Sequence, residues 1–305
     1  MARRTIIGED YQIYMPTIPK VLLLVESSRG SGRSLLEGIA RYAQLRGPWS
    51  IYWEPGGLEE VGPKLKTLDL DGIILRDADK LKEVLAFDLP AVVIGHGRAE
   101  IACLLNVVTD SEGIGQMAAE HLLACGYKKF AYCGCLTSMG KDTPWSELRR
   151  QSFIERIRQA GYSCENSQVP LLARRSPWLR EYGMMSRWLQ SLSKPLGLMA
   201  ANDDQARQVA EACKLAEISV PSEVGIIGVD NDDVVCGLSD PPLSSVAVNF
   251  ELAGYEAASA LDCLMKGKRP VPTRIVVCPT GIVIRRSTEA KSPTPSFIDQ
   301  RPINS

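Results

Sequence analysis

Short apolar runs alternate with amphipathic stretches along the chain from Lys20 onward. The run Val21–Val25 contains only apolar residues, which is typical of a strand buried on both faces of a parallel sheet. A polar turn follows, and Leu35, Ile39 and Tyr42 then recur at the spacing of one helix face. Because similar strand, turn and helix patterns follow, the sequence predicts βαβ units and a parallel sheet with helices on both faces.

Further apolar runs continue this series. They are Gly72–Leu75, Ala91–Ile94, Lys129–Cys133, Leu196–Ala200 and Gly225–Val229. The clearest helix follows Asp110, which is suited to be its N-cap, and Gly126 is suited to end it. A second helix is predicted at Phe250–Met265, with two strands after it at Arg274–Cys278 and Gly281–Arg285.

The pattern predicts an α/β fold of two doubly wound parallel-sheet lobes joined by a hinge. We place the crossing between the lobes at the glycine-bearing stretch 132–140 and expect the last two strands to return to the first lobe. The expected segments are an N-terminal extension (1–19), an N-terminal lobe (20–131 and 247–288), a C-terminal lobe (132–246) and a polar tail (289–305). The tail contains proline and has no periodicity, so we expect it to be disordered or a truncated linker.

Charge and composition limit the partners of the chain. The 35 Lys and Arg residues are balanced by 36 Asp and Glu, so the chain lacks the basic excess of a nucleic-acid-binding protein. The nine cysteines form no CxxC pair, which suits reduced thiols in the cytosol. No apolar run approaches the roughly 18 residues of a membrane helix, and no apolar segment of a signal peptide precedes Pro16. We therefore expect a cytoplasmic protein without a membrane partner.

Catalytic and metal chemistry are not predicted. The two histidines, His96 and His121, belong to no spaced ligand motif, and His121 lies on the apolar face of a predicted helix, where a structural role is expected. The glycines of Ser28–Arg33 match neither the dinucleotide nor the P-loop spacing. The acidic run Asp230–Asp233 lacks the spacing of a calcium loop. We expect no cofactor, no metal site and no enzyme activity.

Polar side chains near the predicted strand ends can hydrogen-bond to the hydroxyl groups of a sugar. The candidates are Asp110, Arg149, Asn202 and Asp230. Carboxylate, amide and guanidinium groups bind adjacent hydroxyls, while an indole ring covers the C–H face of a sugar ring. Trp145 and Trp178 can fill that second role. Three further candidates for ligand contact are Ser28, Arg29 and His96.

Each candidate also has a purely structural interpretation. Asp110 and Asn202 are suited to cap helices, and Asp230 is suited to a turn. Arg149 could lie on a helix surface, and His96 could be a loop residue. Either tryptophan could pack in the core or in an interface. Together, however, the set favours a polyhydroxylated ligand over a chance grouping.

At these residues the sequence resembles the effector-binding domain of the lactose/galactose repressor family, which has the type I periplasmic sugar-binding fold. The likeness covers residues 20–288. It rests on Thr109-Asp110 with Gly113, Ala118–Leu122, Arg149-x-x-Ser-Phe153, Ala201–Asp203, Gly228–Asp230 and Arg286–Thr288. Within this family the chain is most similar to the xylose-operon regulators, through Leu36–Tyr42, Leu243–Ala247 and Ile284–Thr288.

The resemblance implies a monosaccharide effector, a pentose such as xylose, that is bound between the lobes and favours their closure. It places the effector contacts of the family on Asp110, Arg149, Asn202 and Asp230, and the pocket lining on Trp145 and Trp178. It also implies a homodimer. DNA contact is expected only through an AraC-type helix-turn-helix domain after residue 288, which we expect to be missing from this chain.

Two positions depart from the family pattern. Ser152 replaces the glycine of Arg-x-x-Gly-Phe, and Val248 replaces a glutamine that often precedes Phe250, which removes one polar contact and bears on the identity of the sugar rather than on its class. Two other functions are compatible with the predicted fold. A solute-binding protein for transport is opposed by the missing export signal and the unpaired cysteine count. An enzyme is the other alternative, because fold alone does not fix function.

Overall fold

The computed structural model describes residues 18–57, 68–76, 88–95, 104–135, 143–166, 178–268 and 273–289. The strands in chain order are β1 (Lys20–Leu24), β2 (Ser50–Trp53), β3 (Gly72–Arg76), β4 (Ala91–Ile94), β5 (Leu105–Thr109), β6 (Phe130–Cys133), β7 (Cys164–Asn166), β8 (Leu196–Ala200), β9 (Val224–Asp230), β10 (Ser244–Val248), β11 (Arg274–Val277) and β12 (Pro279–Val283). The helices are α1 (Gly30–Arg46), α2 (Ser111–Ala124), α3 (Pro144–Gln159), α4 (Trp178–Ser191), α5 (Asp203–Leu215), α6 (Asp233–Leu238) and α7 (Phe250–Met265).

The strands form two six-stranded sheets, one in each lobe. The sheet of the first lobe has the order β11-β5-β4-β3-β1-β2, and all of its pairs are parallel. The sheet of the second lobe has the order β12-β10-β9-β8-β6-β7 and is parallel except for β12, which runs antiparallel to β10. The predicted fold class, two doubly wound lobes, is therefore confirmed.

Helices α1 and α7 pack closely against each other in the first lobe. The predicted apolar face of α1 is buried, with Leu35 and Ile39 fully inaccessible. A glycine lies at each point of closest approach, because a Cβ at Gly38 would clash with the carbonyl of Glu251 and one at Gly254 would clash with the carbonyl of Leu35. This close packing fixes the first turn of α7 beside the N-terminal half of α1.

The order of the described elements requires three crossings between the lobes. The first crossing follows β5, since α2 packs on α3 and on the strands of the second sheet. The second lies between β10 and α7, and the third between β11 and β12. As described, the first lobe comprises 18–109 and 250–277, and the second comprises 111–248 and 279–289.

The predicted lobe boundaries need correction. The stretch proposed as a crossing at 132–140 begins inside β6, an inner strand of the second sheet, and the rest of it to residue 140 lies mostly outside the described residues. Of the two last strands, β11 returns to the first lobe, but β12 pairs with β10 in the second. Apolar periodicity does not reveal which sheet a strand joins, because both lobes repeat the same pattern. The predicted extension and tail lie almost entirely outside the described residues.

The helix that was predicted after Asp110 is α2, and its caps agree with the prediction. The Asp110 carboxylate accepts the Gly113 N–H at 2.9 Å, and Gly126 has a positive φ of 87° just beyond the helix. The helix predicted at 250–265 is α7. None of the helices in the described part of the chain has the length and apolarity that crossing a bilayer requires.

Candidate functional site

A cleft lies between the lobes, at the carboxyl ends of strands from both sheets. Its lining residues are Arg76, Ile94, Gly95, Val107, Val108, Thr109, Trp145, Arg149, Asp230, Phe250 and Ala253. Arg76, Thr109 and Asp230 are the last residues of their strands. The carboxyl end of a parallel sheet is the usual place for a ligand in such folds.

Arg149 organises the second-lobe wall of the cleft. It lies in the second turn of α3 and is 4% exposed. One guanidinium nitrogen, Nη1, donates to the carbonyl of Ala201 at 2.5 Å, and Nη2 lies 3.7 Å from Oδ1 of Asp230. The guanidinium also lies 4.7 Å from the ring centroid of Trp145, within range of a cation–π contact. A carbonyl, a carboxylate and an indole ring thus fix the guanidinium in one place.

The Nε of Arg149 is buried and has no hydrogen-bond partner among the described residues. A buried N–H group without an acceptor destabilises a folded protein, and few native structures retain one without a reason. A hydroxyl oxygen of a ligand is a suitable acceptor for this group. Arg149 thus retains one buried donor that the described protein atoms leave without an acceptor.

Asp230 carries the negative charge of the same wall. Burial raises the pKa of its carboxyl, while the positive charges of Arg149, Arg76 and Arg29 act in the opposite direction. The backbone of Asp230 has a φ of +103°, a strained conformation for a residue with a side chain. Such strain is common at ligand-binding positions, where surrounding contacts hold the residue in place.

The first-lobe wall contains a second buried arginine, Arg76. Its side chain is 6% exposed, and both terminal nitrogens lie 3.3 Å from Oγ of Ser31 at the start of α1. Phe250, the first residue of α7, lies on the same side and adds an apolar surface. The sequence analysis missed both residues. The only available signal was the position of Arg76 directly after the apolar run that forms β3.

Three of the predicted ligand residues meet in the cleft, namely Trp145, Arg149 and Asp230. Asp110 and Asn202 instead cap α2 and α5, and Oδ1 of Asn202 accepts the Gln205 N–H at 3.0 Å. Both are sequence neighbours of residues at the cleft. Asp110 follows Thr109, which lines the cleft, and Asn202 follows Ala201, whose carbonyl accepts a hydrogen bond from Arg149. Their predicted role in ligand contact stays a prediction.

Of the remaining candidates, Ser28 and Arg29 are not among the residues that line the described cleft. The hydroxyl of Ser28 donates to the carboxylate of Glu26, and Arg29 forms an ion pair with Asp204. Trp178 is the first residue of α4, and His96 lies outside the described residues. The ligand contacts predicted for all four residues therefore stay predictions.

His121 has the structural role that its position predicted. Its Nε2 lies 2.8 Å from Oγ1 of Thr288, and burial lowers its pKa, which favours the neutral ring. The hydroxyl of Thr288 is also 2.7 Å from that of Ser244 at the start of β10. This network lies at the amino end of β10, away from the cleft.

A pair of contacts joins the two lobes directly beside the cleft, and we call it the interlobe bridge. It consists of the Arg29–Asp204 ion pair and a 2.7 Å hydrogen bond from the Gly30 N–H to Oδ2 of Asp232. Asp232 also caps α6 by accepting the Val234 and Val235 N–H groups. Burial raises the pKa of Asp232, but these backbone donors outweigh burial and the pKa falls, so the bridge carries a carboxylate near neutral pH.

Comparisons with known proteins agree with this geometry. The model of the periplasmic binding protein-like domain family matches residues 119–288. The xylose operon regulatory protein of Haemophilus influenzae is 30% identical over 290 residues, which cover 92% of this chain and 73% of that protein. The corresponding protein of Escherichia coli K12 is 29% identical over 287 residues, covering 92% and 72%.

Solved structures give the same relationship. A structure of the xylose-binding transcription activator xylR has a TM-score of 0.76 and 28% identity, and covers 90% of this chain and 70% of that one. A periplasmic binding protein/LacI transcriptional regulator from Alkaliphilus metalliredigens, complexed with D-xylulofuranose, has a TM-score of 0.69. It covers 90% of this chain and all of its own, but at 19% identity it supports the fold alone.

Proposed function

The chain belongs to the periplasmic binding protein-like domain family, and we propose that it is the sugar-sensing domain of a bacterial transcription regulator. The proposed effector is a monosaccharide, with a pentose such as xylose as the first candidate. The relatives that share most of their length with this chain are named as regulators of the xylose operon, which supports regulation over transport. We place its site of action in the cytoplasm.

One observation carries the sugar assignment. In the cleft, the Arg149 guanidinium lies beside the Asp230 carboxylate and against the Trp145 ring, with one buried N–H still lacking an acceptor. A donor and an acceptor side by side match two adjacent hydroxyl groups, each of which both donates and accepts. The indole ring offers a surface for the C–H face of the sugar.

The proposed mechanism is differential binding rather than catalysis. A sugar in the cleft contacts Arg149 and Asp230 on one lobe and Arg76 on the other, so it binds best when the lobes are together. Moving a 1:99 equilibrium to 99:1 requires about 5.5 kcal/mol of preference for the closed arrangement. Several charge-assisted hydrogen bonds in a buried cleft are sufficient for this.

In this proposal, the DNA-binding element that responds to lobe closure lies outside the described residues. In this proposal the regulator works as a homodimer, and closure of the lobes changes how two copies present an attached helix-turn-helix domain to DNA. Asp110, Asn202 and Trp178 are proposed as additional effector contacts, next to the three residues that meet in the cleft.

A sugar panel with thermal denaturation tests the proposal. We expect a pentose at 100 times its dissociation constant to add about 2.7 kcal/mol of stability, which raises the melting temperature by several degrees. Asp230→Asn should lose the shift and still fold, because asparagine tolerates a positive φ. Asp69→Asn is the matched control, since the Asp69 side chain is 99% exposed. If no pentose or hexose changes the melting temperature, the sugar-sensing function is wrong.

A further inference from the structure

The loop that follows β9 is held in an unusual backbone conformation. Asp230 and the next residue, Asn231, have φ values of +103° and +55°, and neither is a glycine. Left-handed conformations of two successive residues with side chains persist only where other contacts hold them. The source of that restraint lies outside the loop.

A polar relay from two other elements supplies the restraint. Ser245, in β10, is fully buried, and its Oγ accepts the Asn231 N–H at 3.0 Å. The same hydroxyl donates to Oδ1 of Asp203 at 2.7 Å. The other carboxylate oxygen, Oδ2 of Asp203, accepts the Asp232 N–H at 2.8 Å. One buried carboxylate thus holds two consecutive amides of the loop, one directly and one through a hydroxyl.

The surroundings of Asp203 are shaped for this carboxylate. Asp203 is the first residue of α5 and is 3% exposed. It packs against β9 at Gly228, where a Cβ would clash with its Oδ1. A glycine in the middle of a buried strand weakens the strand, so its presence here points to a specific close approach.

The loop after β9 supplies one side chain to the cleft and another to the interlobe bridge. The Asp230 side chain lines the cleft, and the Asp232 side chain accepts the Gly30 N–H from the first lobe. Asn231 is also held from outside, since Nη2 of Arg285 donates to its Oδ1 at 2.9 Å. Movement of the loop would therefore displace a cleft carboxylate and half of the interlobe bridge together.

We propose that Asp203 is the positioning residue of this loop, which sets the place of both Asp230 in the cleft and Asp232 in the interlobe bridge. Asp203 is not among the residues that line the cleft, so it acts through the loop. The effect on ligand affinity rests on the proposed sugar-sensing function, but the effect on the loop does not.

The charge of Asp203 gives the proposal a pH signature. Burial, followed by the negative charge of Asp230, raises the pKa of Asp203 to about 7. Three hydrogen-bond donors face Asp203, namely the Ser245 hydroxyl, the Asp232 N–H and the Cys236 thiol. The Asp230 carboxylate also faces it, as a like charge. A proton on Asp203 takes the place of one donated hydrogen bond, so protonation weakens the relay. The ionised form holds the loop better, and affinity for sugar is expected to fall as the pH drops below about 7.

The experiment compares Asp203→Asn and Ser245→Ala with wild type. Hydrogen exchange without ligand is followed in the peptide that spans residues 230–236, and sugar affinity is then measured at about pH 6 and about pH 8. We expect exchange in that peptide to be about tenfold faster in Asp203→Asn and sugar affinity at the higher pH about tenfold weaker. Wild type is expected to bind sugar more weakly at about pH 6 than at about pH 8, and this difference should be smaller in Asp203→Asn. Because the two carboxylates interact, the lost part of the pH dependence belongs to the Asp203–Asp230 pair, and the exchange measurement assigns the positioning role to Asp203.

Controls separate positioning from general destabilisation. Glu211→Gln changes a charge on the same helix and should leave exchange and affinity unchanged. Ser245→Ala should change both quantities in the same direction as Asp203→Asn but less, and it also serves if Asp203→Asn does not fold. The two effects should be less than additive, because both residues belong to one relay.

The two proposals fail in different ways. The positioning role is wrong if residues 230–236 exchange at the wild-type rate in a folded Asp203→Asn protein, whatever the sugar result. If Asp203→Asn does not fold, the same outcome in Ser245→Ala decides the question. Faster exchange spread evenly over the second lobe would also overturn the positioning role. Faster exchange confined to the loop, with no sugar binding even to wild type, would support the positioning role and reject the sugar-sensing function.

Discussion

The two walls of the cleft are built differently. On the second lobe, Arg149 is fixed by the carbonyl of Ala201, the Asp230 carboxylate and the Trp145 ring. On the first lobe, the terminal nitrogens of Arg76 lie 3.3 Å from the Ser31 hydroxyl, and the other lining residues are mostly small or apolar. The second-lobe wall therefore presents a fixed polar surface, whereas the first-lobe wall mainly covers it.

This difference assigns the two lobes different parts in binding. Preorganised polar groups determine whether a ligand is recognised, because little ordering is required when it arrives. A covering wall contributes mostly after the first contact, when the lobes come together and slow the departure of the ligand. We therefore expect the second lobe to decide whether a sugar binds, and the first lobe to decide how long it stays.

The largest effect is expected for Arg149→Met. Removing one partner of a buried ion pair leaves the other charge uncompensated, and such changes destabilise proteins by about 3 kcal/mol. Sugar affinity should fall at least about a hundredfold, because the guanidinium donors and the placement of Asp230 are lost together. Chemical denaturation and isothermal titration calorimetry measure the two quantities.

Arg158→Met is the matched control for that change. Arg158 lies on the same helix, pairs with Glu155 and has a side chain that is 71% exposed. It should leave both stability and sugar affinity unchanged. Normal sugar binding by a folded Arg149→Met protein would show that the second-lobe wall does not decide recognition.

A smaller effect with a different kinetic signature is expected for Arg76→Met. The side chain is buried, so the aliphatic replacement keeps most of the packing while removing the donors. We expect affinity to fall about tenfold, with most of the change in the dissociation rate. Stopped-flow fluorescence of Trp145, which lies in the cleft, measures both rates.

The rates from Arg76→Met also test the comparison between the walls. An unchanged dissociation rate with a much slower association rate would show that the first lobe takes part in initial recognition. The division between a recognising wall and a covering wall would then be wrong.

The sequence was sufficient for most of the sheets and for the second-lobe wall. Continuous apolar runs identified most of the inner strands of both lobes, namely β1, β3, β4, β6, β8 and β9, because strands buried on both faces leave little room for polar residues. Asp230 was found because it ends a strand and matches a motif of a known family, whereas Arg149 and Trp145, which lie on α3, were found through their chemistry and the resemblance to that family. Strand β5 was missed since Asn106 interrupts its apolar pattern, although that side chain is buried and donates to the carbonyl of Leu104.

Long-range pairing explains what the sequence did not reveal. The antiparallel addition of β12 to the second sheet depends on which edge is free, and local periodicity carries no such information. Asp203 was recognised only as part of a motif, because its partners Asp232 and Ser245 are 29 and 42 residues away. The ion pair of Arg29 with Asp204 across the lobes was likewise not predicted, and the ligand contact predicted for Arg29 stays a prediction.

The smallest effect is expected at the interlobe bridge, from Arg29→Gln. The side chains of Arg29 and Asp204 are 47% and 28% exposed, and solvent-screened pairs of this kind contribute about 0.2–1 kcal/mol. Because the two residues belong to different lobes, the pair forms only when the lobes are together. Its loss shifts the equilibrium toward the open arrangement, and the affinity for every sugar should fall by the same factor, about twofold to fivefold.

Titrations with two sugars measure this factor. Lys20→Met, which breaks a surface pair within the first lobe, is the control and should change neither affinity. A change in affinity for only one of the two sugars would mean that Arg29 contacts the ligand itself, and the first-lobe wall would then recognise the sugar as well as cover it.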